Sequence, residues 1–432
     1  MINYSLRSLG INAVKGEEEL VSRVLDTPVS ESDFAALSGS ARFIGAGGVF
    51  KDVMGAFPCE TGTPPGFRRV LEMRPGGVVN VELARDIAYG RDGIRRPTNV
   101  LFSADSANPY EVGPISPFIA NLTCNPGIVY DLFINNPKAN KGGLYKTRDE
   151  AMREIGRILG PGCDISVELN NPFEPDFGAI LEEAEKFREM FTKYRVVIKV
   201  PHTGAVTPEN VAQLLEGGKT LDRAYGDVST PDALRGHALA LKLRQHGFRI
   251  NFTLMFEPYQ TLFALQAQPY FINSFIRHRY MQTSGIKKYL DMYGATDDPA
   301  YLADLRALLL KNDYYGPAQA DADLLSVKKF GEDVVKYRLF DCGEGCDGLD
   351  GVRHNLRVLR NCNLPDTRLI ICSMEGDYNY PDIDKLLAEP EFRDMNGRVV
   401  ITAEPNYIAR FTSTNQVTSY QRRFMNAAKG MK

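Results

Sequence analysis

The sequence has few cysteines and no hydrophobic run long enough to cross a membrane. Its seven cysteines are an odd number spread over 432 residues, which fits reduced thiols in a cytoplasm better than a disulfide framework. A membrane-spanning helix needs about 18 consecutive apolar residues, and no stretch approaches that length. The first residues, Met1 to Arg7, lack the apolar core of a signal peptide. We therefore expect a cytoplasmic protein with no membrane partner.

A strong excess of one charge is also missing. The chain has 51 Lys and Arg against 54 Asp and Glu, and the two signs are mixed along its length. This pattern gives neither the basic surface of a nucleic-acid-binding protein nor an acidic tail. Apolar residues make up an ordinary 44% of the sequence, and Gly and Pro are not enriched. These values predict a folded globular protein that does not bind nucleic acid.

Motifs for metals and nucleotide cofactors are weak. Cys342, Cys346, His354 and Cys362 lie close in sequence, but they lack the tight Cys-x-x-Cys pairs of zinc sites. The stretch Gly45-Ala46-Gly47-Gly48 is similar to part of a dinucleotide-binding loop. It shows no surrounding strand-turn-helix unit with an acidic residue about 20 positions later, so a simple turn is predicted. No metal and no nicotinamide cofactor is expected.

After residue 97, short apolar runs alternate with amphipathic stretches. A capping box from Thr147 to Glu150 and the apolar spacing from Phe177 to Phe191 predict helices, and Thr207-Pro208 predicts the start of another. This alternation predicts a (β/α)8 TIM barrel, with an open doubly wound sheet as the alternative. The eight candidate strands are 99–104, 118–123, 163–169, 195–200, 248–254, 269–273, 367–373 and 398–403.

Three segments fall outside the alternating pattern. Residues 1–97 have weak periodicity and clustered glycines, and we treat them as an N-terminal extension to a barrel formed by residues 98–432. Within the barrel, about 216–246 lengthens one connection. A second insertion, about 280–366, is predicted to hold two or three additional helices, including 299–311 and 321–338.

Lys199 is the most informative residue, because it lies in an otherwise apolar candidate strand, Val196-Val197-Ile198-Lys199-Val200-Pro201. Burying an ammonium group costs several kcal/mol unless it is paired or discharged. Burial lowers the pKa of a lysine, and a neutral amine attacks carbonyl groups. The alternative is an ordinary lysine at a strand end with its ammonium group in solvent.

Other polar residues also lie at the carboxyl ends of candidate strands. In a TIM barrel these strand ends line the active site. Taken alone, each residue has a structural explanation, such as a helix cap or a turn. Together they suit Schiff-base chemistry, in which a lysine is the nucleophile, carboxylates move protons, and amides and hydroxyls hold a polyol. The residues are Asp105, Asn125, Glu168, Lys199, Asn251, Thr253 and Ser373.

Three stretches resemble the transaldolase family of class I aldolase-type barrels, in which the Schiff-base lysine lies on the fourth strand. They are Asn121-Leu122-Thr123-Cys124-Asn125-Pro126-Gly127, Val197-Ile198-Lys199-Val200-Pro201-His202-Thr203 and Asn251-Phe252-Thr253-Leu254-Met255-Phe256. Cys124 and Gly127 depart from the family's pattern. The resemblance covers roughly residues 98–275 and returns at 367–410.

The resemblance implies a role for each matched residue. Lys199 would form the imine, and Asp105 would exchange the hydroxyl proton as the C–C bond breaks. Glu168 and Thr253 would hold the water that shuttles protons, while Asn125 and Asn251 would bind the three-carbon unit. Glu168 favours transaldolase over the related fructose-6-phosphate aldolases, which carry glutamine there. Phe275 also fits the transaldolase pattern.

The phosphate-binding end departs from the family. Ser373-Met374-Glu375 replaces an expected Ser-x-Arg, and His278 takes the place of another arginine, with Arg277 and Arg279 beside it. The family's serine before Phe275 corresponds to Asn273 or Ser274. These residues and Ser373 are the expected substrate-binding set. Since Glu375 would repel phosphate, we expect an altered or unphosphorylated sugar, covered by a lid from 280–366. A phosphate could alternatively be bound by arginines from elsewhere in the chain. One such source is the group that precedes the first strand and so starts at the barrel face opposite the active site: Arg85, Arg91, Arg95 and Arg96.

The resulting hypothesis is an enzyme that moves a dihydroxyacetone unit between sugars or sugar phosphates, as in the pentose phosphate pathway. One alternative is an aldolase that releases the three-carbon ketone, and another is a barrel without catalysis. No cofactor is required, because the lysine itself accepts the electrons. The partners are small sugars, and the oligomeric state stays open, with a homo-oligomer compatible with the sequence.

Overall fold

The computed structural model describes residues 4–430, and its first part is a small α/β unit. The elements are β1 (Tyr4–Ser5), β2 (Asn12–Ala13), α1 (Glu18–Ser22), β3 (Pro28–Val29), α2 (Glu31–Ser38), β4 (Phe43–Ala46), α3 (Gly48–Ala56), β5 (Phe67–Arg74) and β6 (Val78–Arg85). Strands β2, β4, β6 and β5 form a four-stranded sheet in that order, and a two-stranded ribbon joins β1 to β3. Helix α3 packs against β6 and buries Phe50 and Val53 in a separate hydrophobic core.

The glycine-rich stretch at 45–48 differs from its prediction. It connects β4 directly to α3, so a strand-turn-helix unit does surround it. Glu17 accepts a hydrogen bond from the Ala46 N–H at 2.7 Å, and Glu82 accepts one from the Phe50 N–H at 3.0 Å. A Cβ added at Gly47 would lie 1.7 Å from the Glu82 carboxylate. Two carboxylates therefore occupy the space that a phosphate would need, and Gly47 admits one of them.

Eight parallel strands close into a barrel, and every predicted strand overlaps an observed one. The last strand pairs with the first, with Val400 opposite Leu101 and Thr402 opposite Ser103. This pairing confirms the (β/α)8 barrel and excludes the open sheet. The strands are β7 (Leu101–Asp105), β8 (Asn121–Thr123), β9 (Asp164–Glu168), β10 (Val196–Pro201), β11 (Arg249–Thr253), β12 (Phe271–Phe275), β13 (Arg368–Cys372) and β14 (Val399–Ala403).

The strands read as continuous apolar runs because both of their faces are buried. Ile198 and Val200 point outward and pack in the large core beneath the helices. Val197, Phe271 and Val400 point inward and fill the barrel interior. Alternation along β10 consequently places Lys199 on the inner face with Val197.

Helices surround the barrel and form its insertion. The capping box at Thr147 is confirmed, because the Glu150 N–H donates to its hydroxyl at 3.2 Å. The α-helices are α4 (Pro109–Ile115), α5 (Arg148–Leu159), α6 (Phe177–Phe191), α7 (Thr230–Ala233), α8 (Arg235–Gln245), α9 (Gln260–Gln266), α10 (Ile276–Thr296), α11 (Ala300–Lys311), α12 (Leu324–Tyr337), α13 (Asp350–Arg360), α14 (Asn379–Ala388), α15 (Pro405–Arg410) and α16 (Asn415–Ala428). A π-helix spans Gly127–Ile134, and short 3-10 helices span Leu6–Leu9, Arg91–Gly93, Lys141–Gly143, Val211–Leu214, Pro317–Gln319 and Arg393–Arg398.

The cap predicted at Thr207 is present, since the Asn210 N–H donates to the Thr207 hydroxyl at 3.3 Å, but the helix that follows is short. The Asn210 side chain accepts the Thr207 N–H at 2.7 Å and donates to the Ala205 carbonyl at 3.0 Å, which closes a local turn. The Thr207 and Asn210 side chains thus bind each other's backbone N–H groups, as in a capping box. Only the short 3-10 helix Val211–Leu214 follows.

The long insertion is a helical unit of its own. Helices α10, α11 and α12 pack on one another around a cluster that includes Ile286, Leu305 and Val327. The predicted helices 299–311 and 321–338 correspond to α11 and α12. Within the shorter predicted insertion, α8 packs on β10 and β11. No helix within residues 4–430 is long and apolar enough to span a bilayer.

A buried ion-pair cluster joins the N-terminal unit to the amino-terminal face of the barrel. Asp164, at the start of β9, is fully buried and accepts hydrogen bonds from Arg85 and Arg249 at 3.0 Å each. Burial alone would raise the pKa of Asp164, but the two guanidinium groups hold it below its ordinary value. Arg85 therefore lies opposite the face that carries Lys199. We propose that residues up to about 97 form a unit that caps this face.

Asp164→Asn should destabilise the protein by about 3–5 kcal/mol, because it leaves two arginines with no buried counter-charge. Urea unfolding at neutral pH measures this loss. The control is Asp26→Asn, since Asp26 is 75% exposed in its pair with Arg69 and should contribute at most about 1 kcal/mol.

The effect should depend on pH. A depressed folded-state pKa contributes stability above the unfolded value of about 4, and that contribution is lost as pH falls through the folded value. The difference in free energy of unfolding between wild type and Asp164→Asn should consequently decrease at acidic pH. Equal stability of the two proteins at pH 7 would contradict the account.

Candidate active site

Lys199 lies on the inner face of β10 between two polar neighbours. Strand register places it opposite Glu168 on β9 and opposite Asn251 on β11. Its side chain is buried, with the Nζ 3.1 Å from Glu168 Oε2 and donating to the Cys124 carbonyl at 3.3 Å. The alternative of a lysine with its ammonium group in solvent does not fit this geometry.

The charge on Lys199 differs from the prediction. Burial alone would lower the pKa of Lys199, as its apolar strand suggests, but the carboxylates of Glu168 and Asp105 outweigh burial and raise it. The resting lysine is consequently protonated. Because only the free amine attacks a carbonyl, a carboxylate must first take the proton, and Glu168 is in hydrogen-bonding contact.

Asp105 ends the first barrel strand and faces the same space. It accepts a hydrogen bond from the Thr123 hydroxyl at 2.8 Å. Burial raises the pKa of Asp105 and prevails over the opposing effects of Lys199 and Thr123. A carboxyl group with a raised pKa is suited to accept and return a proton near neutral pH.

Asn251 and Asn273 form a buried amide pair on neighbouring strands. The Asn273 amide donates to Asn251 Oδ1 at 2.6 Å and to the Phe252 carbonyl at 2.8 Å. Within the described residues, Asn251 Nδ2 is buried and has no acceptor. An unsatisfied buried donor costs about 1–3 kcal/mol, so this amide is suited to bind a ligand oxygen. Thr253, two residues on, shares the inner face of β11 and is also buried.

The structure separates the two candidates for the family's serine. Asn273 points into the barrel, as its bond to Asn251 shows. Ser274 points outward, where its hydroxyl accepts a hydrogen bond from Asn355 of α13 at 2.7 Å. Asn273 is therefore at the site and Ser274 is not.

Cys124 departs from the family's sequence pattern, but its backbone still contacts Lys199. Its backbone carbonyl accepts from Lys199, while its thiol points towards Met152 at 3.9 Å. Burial raises the pKa of the Cys124 thiol to about 12, so it stays protonated. Beside it, Asn125 Oδ1 accepts the Ile128 N–H at 2.9 Å and stabilises the start of the π-helix.

The expected phosphate-binding residues are divided between the rim of the barrel and the interior. Arg277 lies at the rim, with its side-chain Nε 3.5 Å from Glu375 Oε2. Its backbone N–H donates to the Ser373 carbonyl at 3.0 Å. Phe275 packs on Phe256 with ring centres 4.8 Å apart. Arg279, by contrast, is 4% exposed. It is paired with Glu257 and Asp350 and does not face the rim.

Two residues of β14 and its following loop escaped the sequence reasoning. Thr402 is buried on the inner face opposite Ser103, and its hydroxyl has no partner among residues 4–430. Glu404 follows the strand, and burial together with the nearby Asp105 raises its pKa. The rule that selected Asp105, a polar residue at a strand's carboxyl end, would have identified both.

The residues that the structure describes contain no group of three or more His, Cys, Asp or Glu side chains placed to hold a metal. Cys342 and Cys346, considered above, donate to the carbonyls of Leu339 and Gly343. The site's working groups are thus one lysine, several carboxyls, amides and hydroxyls. This set can form an imine and transfer protons around it.

A sequence model of the transaldolase/fructose-6-phosphate aldolase family matches residues 102–304. This match supports a transaldolase-type barrel in this part of the chain. The match includes the first six barrel strands, with Asp105, Glu168 and Lys199, and ends within α11. A search of curated proteins found no match to the chain. The match supports an enzyme of the class I aldolase type, in agreement with the closed barrel.

Proposed function

We propose that this protein transfers a dihydroxyacetone unit between sugars through an imine on Lys199. The observation that carries the proposal is the contact between Lys199 Nζ and Glu168 Oε2 at 3.1 Å inside the barrel. Through this contact Glu168 can accept a proton from the Lys199 amine that would attack a ketose carbonyl. Asp105 supplies a second carboxyl for the bond-breaking step.

Imine formation begins when Glu168 takes the proton from the Lys199 ammonium. The free amine adds to the ketose carbonyl at C2 and gives a carbinolamine. Glu168 then returns a proton to the departing hydroxyl, directly or through a water held with Thr253, and water leaves. Asn251 Nδ2 is available to bind a substrate hydroxyl during these steps.

Bond cleavage then depends on Asp105. Its carboxylate takes the proton from the C4 hydroxyl, the C3–C4 bond breaks, and the electron pair moves into the iminium to form an enamine. The aldehyde half leaves. In the reverse direction the enamine attacks an acceptor aldehyde and Asp105 returns the proton to the new hydroxyl. Hydrolysis of the imine then releases the product ketose.

A lyase on the same scaffold would protonate the enamine and release dihydroxyacetone. The two reactions are distinguished by incubating the protein with a ketose, with and without an acceptor aldehyde, and following the products by NMR. Transfer predicts product ketose that requires the acceptor. Steady release of dihydroxyacetone without an acceptor would reject transfer in favour of the lyase, and no conversion of any ketose would reject both.

The rim favours a sugar without phosphate. Arg277 is paired with Glu375, and Glu404 and Asp105 add further acidic groups nearby. A phosphate at this rim would meet more carboxyl groups than free cations. We propose an unphosphorylated or otherwise altered sugar as substrate, with a role in carbohydrate metabolism.

Glu375→Gln should improve the use of fructose 6-phosphate relative to fructose by about tenfold, because it frees Arg277 to bind phosphate with a charge-assisted hydrogen bond. Glu375→Arg should improve it further. The measurement is the ratio of kcat/KM for the two donors. Glu72→Gln is the control, since Glu72 lies in the N-terminal unit. A wild-type preference for the phosphorylated donor that Glu375→Arg leaves unchanged would refute the role of Glu375.

A further inference from the structure

A second cavity lies beside the rim, between the loop after β11 and the inserted helices. Its volume is about 570 Å³, within the range of small-molecule sites. Loop 254–260 forms one wall, and α10, α12 and the segment after α11 form the others. Six aromatic side chains line it: Tyr225, Phe256, Tyr259, Tyr314, Phe330 and Tyr337.

Two residues that line the cavity are neighbours of residues at the rim of the active site. Phe256 lines the cavity and also packs on Phe275, the last residue of β12. His278 lines it too and follows Arg277, which contacts Glu375 at the rim. A ligand in the cavity would therefore lie next to the opening through which a substrate reaches the barrel.

The cavity offers no free cation among the described residues that line it. Arg338, the lining arginine, is paired with Glu257 and donates to the Tyr314 hydroxyl at 2.7 Å. Glu257 also contacts Arg279 at 3.3 Å, so its charge is compensated as well. Asp313 adds a further carboxyl group to the lining, while the carboxylate of Asp333 is paired with Lys329 at 2.6 Å. Phosphates and other anions are consequently disfavoured.

The polar groups that stay available suit hydroxyls. Within residues 4–430, the Asp313 carboxyl has no hydrogen-bond or ion-pair partner, and partial burial raises its pKa. Asp313 also has a positive φ of 59°, a conformation that aspartate and asparagine tolerate better than most residues. Gln282 accepts the Tyr314 hydroxyl through Oε1 at 2.9 Å, which leaves its amide N–H groups to donate. A carboxylate acceptor and an amide donor match the hydroxyls of a polyol.

We propose that this cavity binds a neutral saccharide, as the part of the substrate remote from the carbon that Lys199 attacks. The role of this saccharide as part of the substrate rests on the proposed function, whereas saccharide binding itself does not. The aromatic rings provide apolar surfaces for the C–H faces of a sugar ring, and Asp313 and Gln282 bind its hydroxyls. An organic cation would also suit aromatic rings and carboxylates, but the Gln282 amide donors oppose it.

Binding to the full-length chain tests the proposal by calorimetry and saturation-transfer NMR. The probes are fructose, sucrose and maltose as neutral saccharides, with glucose 6-phosphate and tetramethylammonium for comparison. We expect at least one neutral saccharide to bind saturably and to be preferred over both charged probes. Tyr337→Ala and Asp313→Asn should weaken its binding about tenfold. Tyr420→Ala, which removes an exposed tyrosine from α16, should leave it unchanged.

The variants are first compared with wild type by thermal unfolding, and Asp313→Asn keeps a residue type that tolerates positive φ. No binding of any neutral saccharide, equal affinity in all variants, or preference for either charged probe would overturn the proposal. Borohydride trapping of dihydroxyacetone, too short to reach the cavity, reports separately on Lys199. Absence of a trapped dihydroxyacetone adduct in the wild type would reject the proposed function. Saccharide binding would still decide the cavity's role in that case.

Discussion

Lys199→Ala is expected to remove imine formation and to lower turnover by at least about 10⁴-fold, since no other group at the site can form the covalent intermediate. The fold should persist, because Glu168 reaches solvent in part when its partner is gone. Turnover of a ketose donor and trapping with borohydride measure the effect, and circular dichroism checks the fold.

Lys193→Ala is the matched control, because Lys193 precedes the same strand but is 57% exposed in a pair with Asp52. It should behave as wild type. Turnover near the wild-type rate in Lys199→Ala would rule out the Schiff-base mechanism.

Asp105→Asn is expected to form the imine normally but to cleave the C–C bond about 10²–10⁴-fold more slowly, the usual range for loss of a proton-transfer group. Asparagine keeps the size of the side chain and can still bond to Thr123, so the change removes proton transfer with little change of shape. Rapid-quench trapping measures the imine, and aldehyde release measures cleavage.

Glu168→Gln provides the comparison, since it removes the acceptor of the lysine proton and should slow imine formation instead. It should also lower the pKa of Lys199, because Glu168 is the largest influence that raises it. If both variants slow the same step to the same extent, the division of roles between the two carboxyls is wrong.

The barrel could be predicted because parallel strands buried on both faces leave continuous apolar runs in the sequence. Closure through Val400 and Leu101 is a long-range pairing that no local pattern reveals. Residues 1–97 gave little signal, since three of their six strands are only two residues long. In their sheet, β5 and β6 form a local hairpin, but the pairings of β2 with β4 and of β4 with β6 join segments far apart in sequence.

The positions of Lys199, Asp105 and Glu168 were predictable from strand ends, but their charges were not. The pKa of Lys199 depends on its 3.1 Å contact with a neighbouring strand, which the sequence does not contain. Arg277 and Arg279 illustrate a second limit. Two residues along a helix turn the side chain by about 200°, so one arginine reaches the rim and the other the buried Asp350.

Mass analysis of the trapped adduct tests the central claim most directly. The protein is incubated with a ketose donor, reduced with borohydride and digested with trypsin. Because modification blocks cleavage after Lys199, the account predicts an adduct on a peptide spanning 196–219. It also predicts that this peptide is absent without donor. No adduct with any ketose, or an adduct on another lysine, would contradict the account.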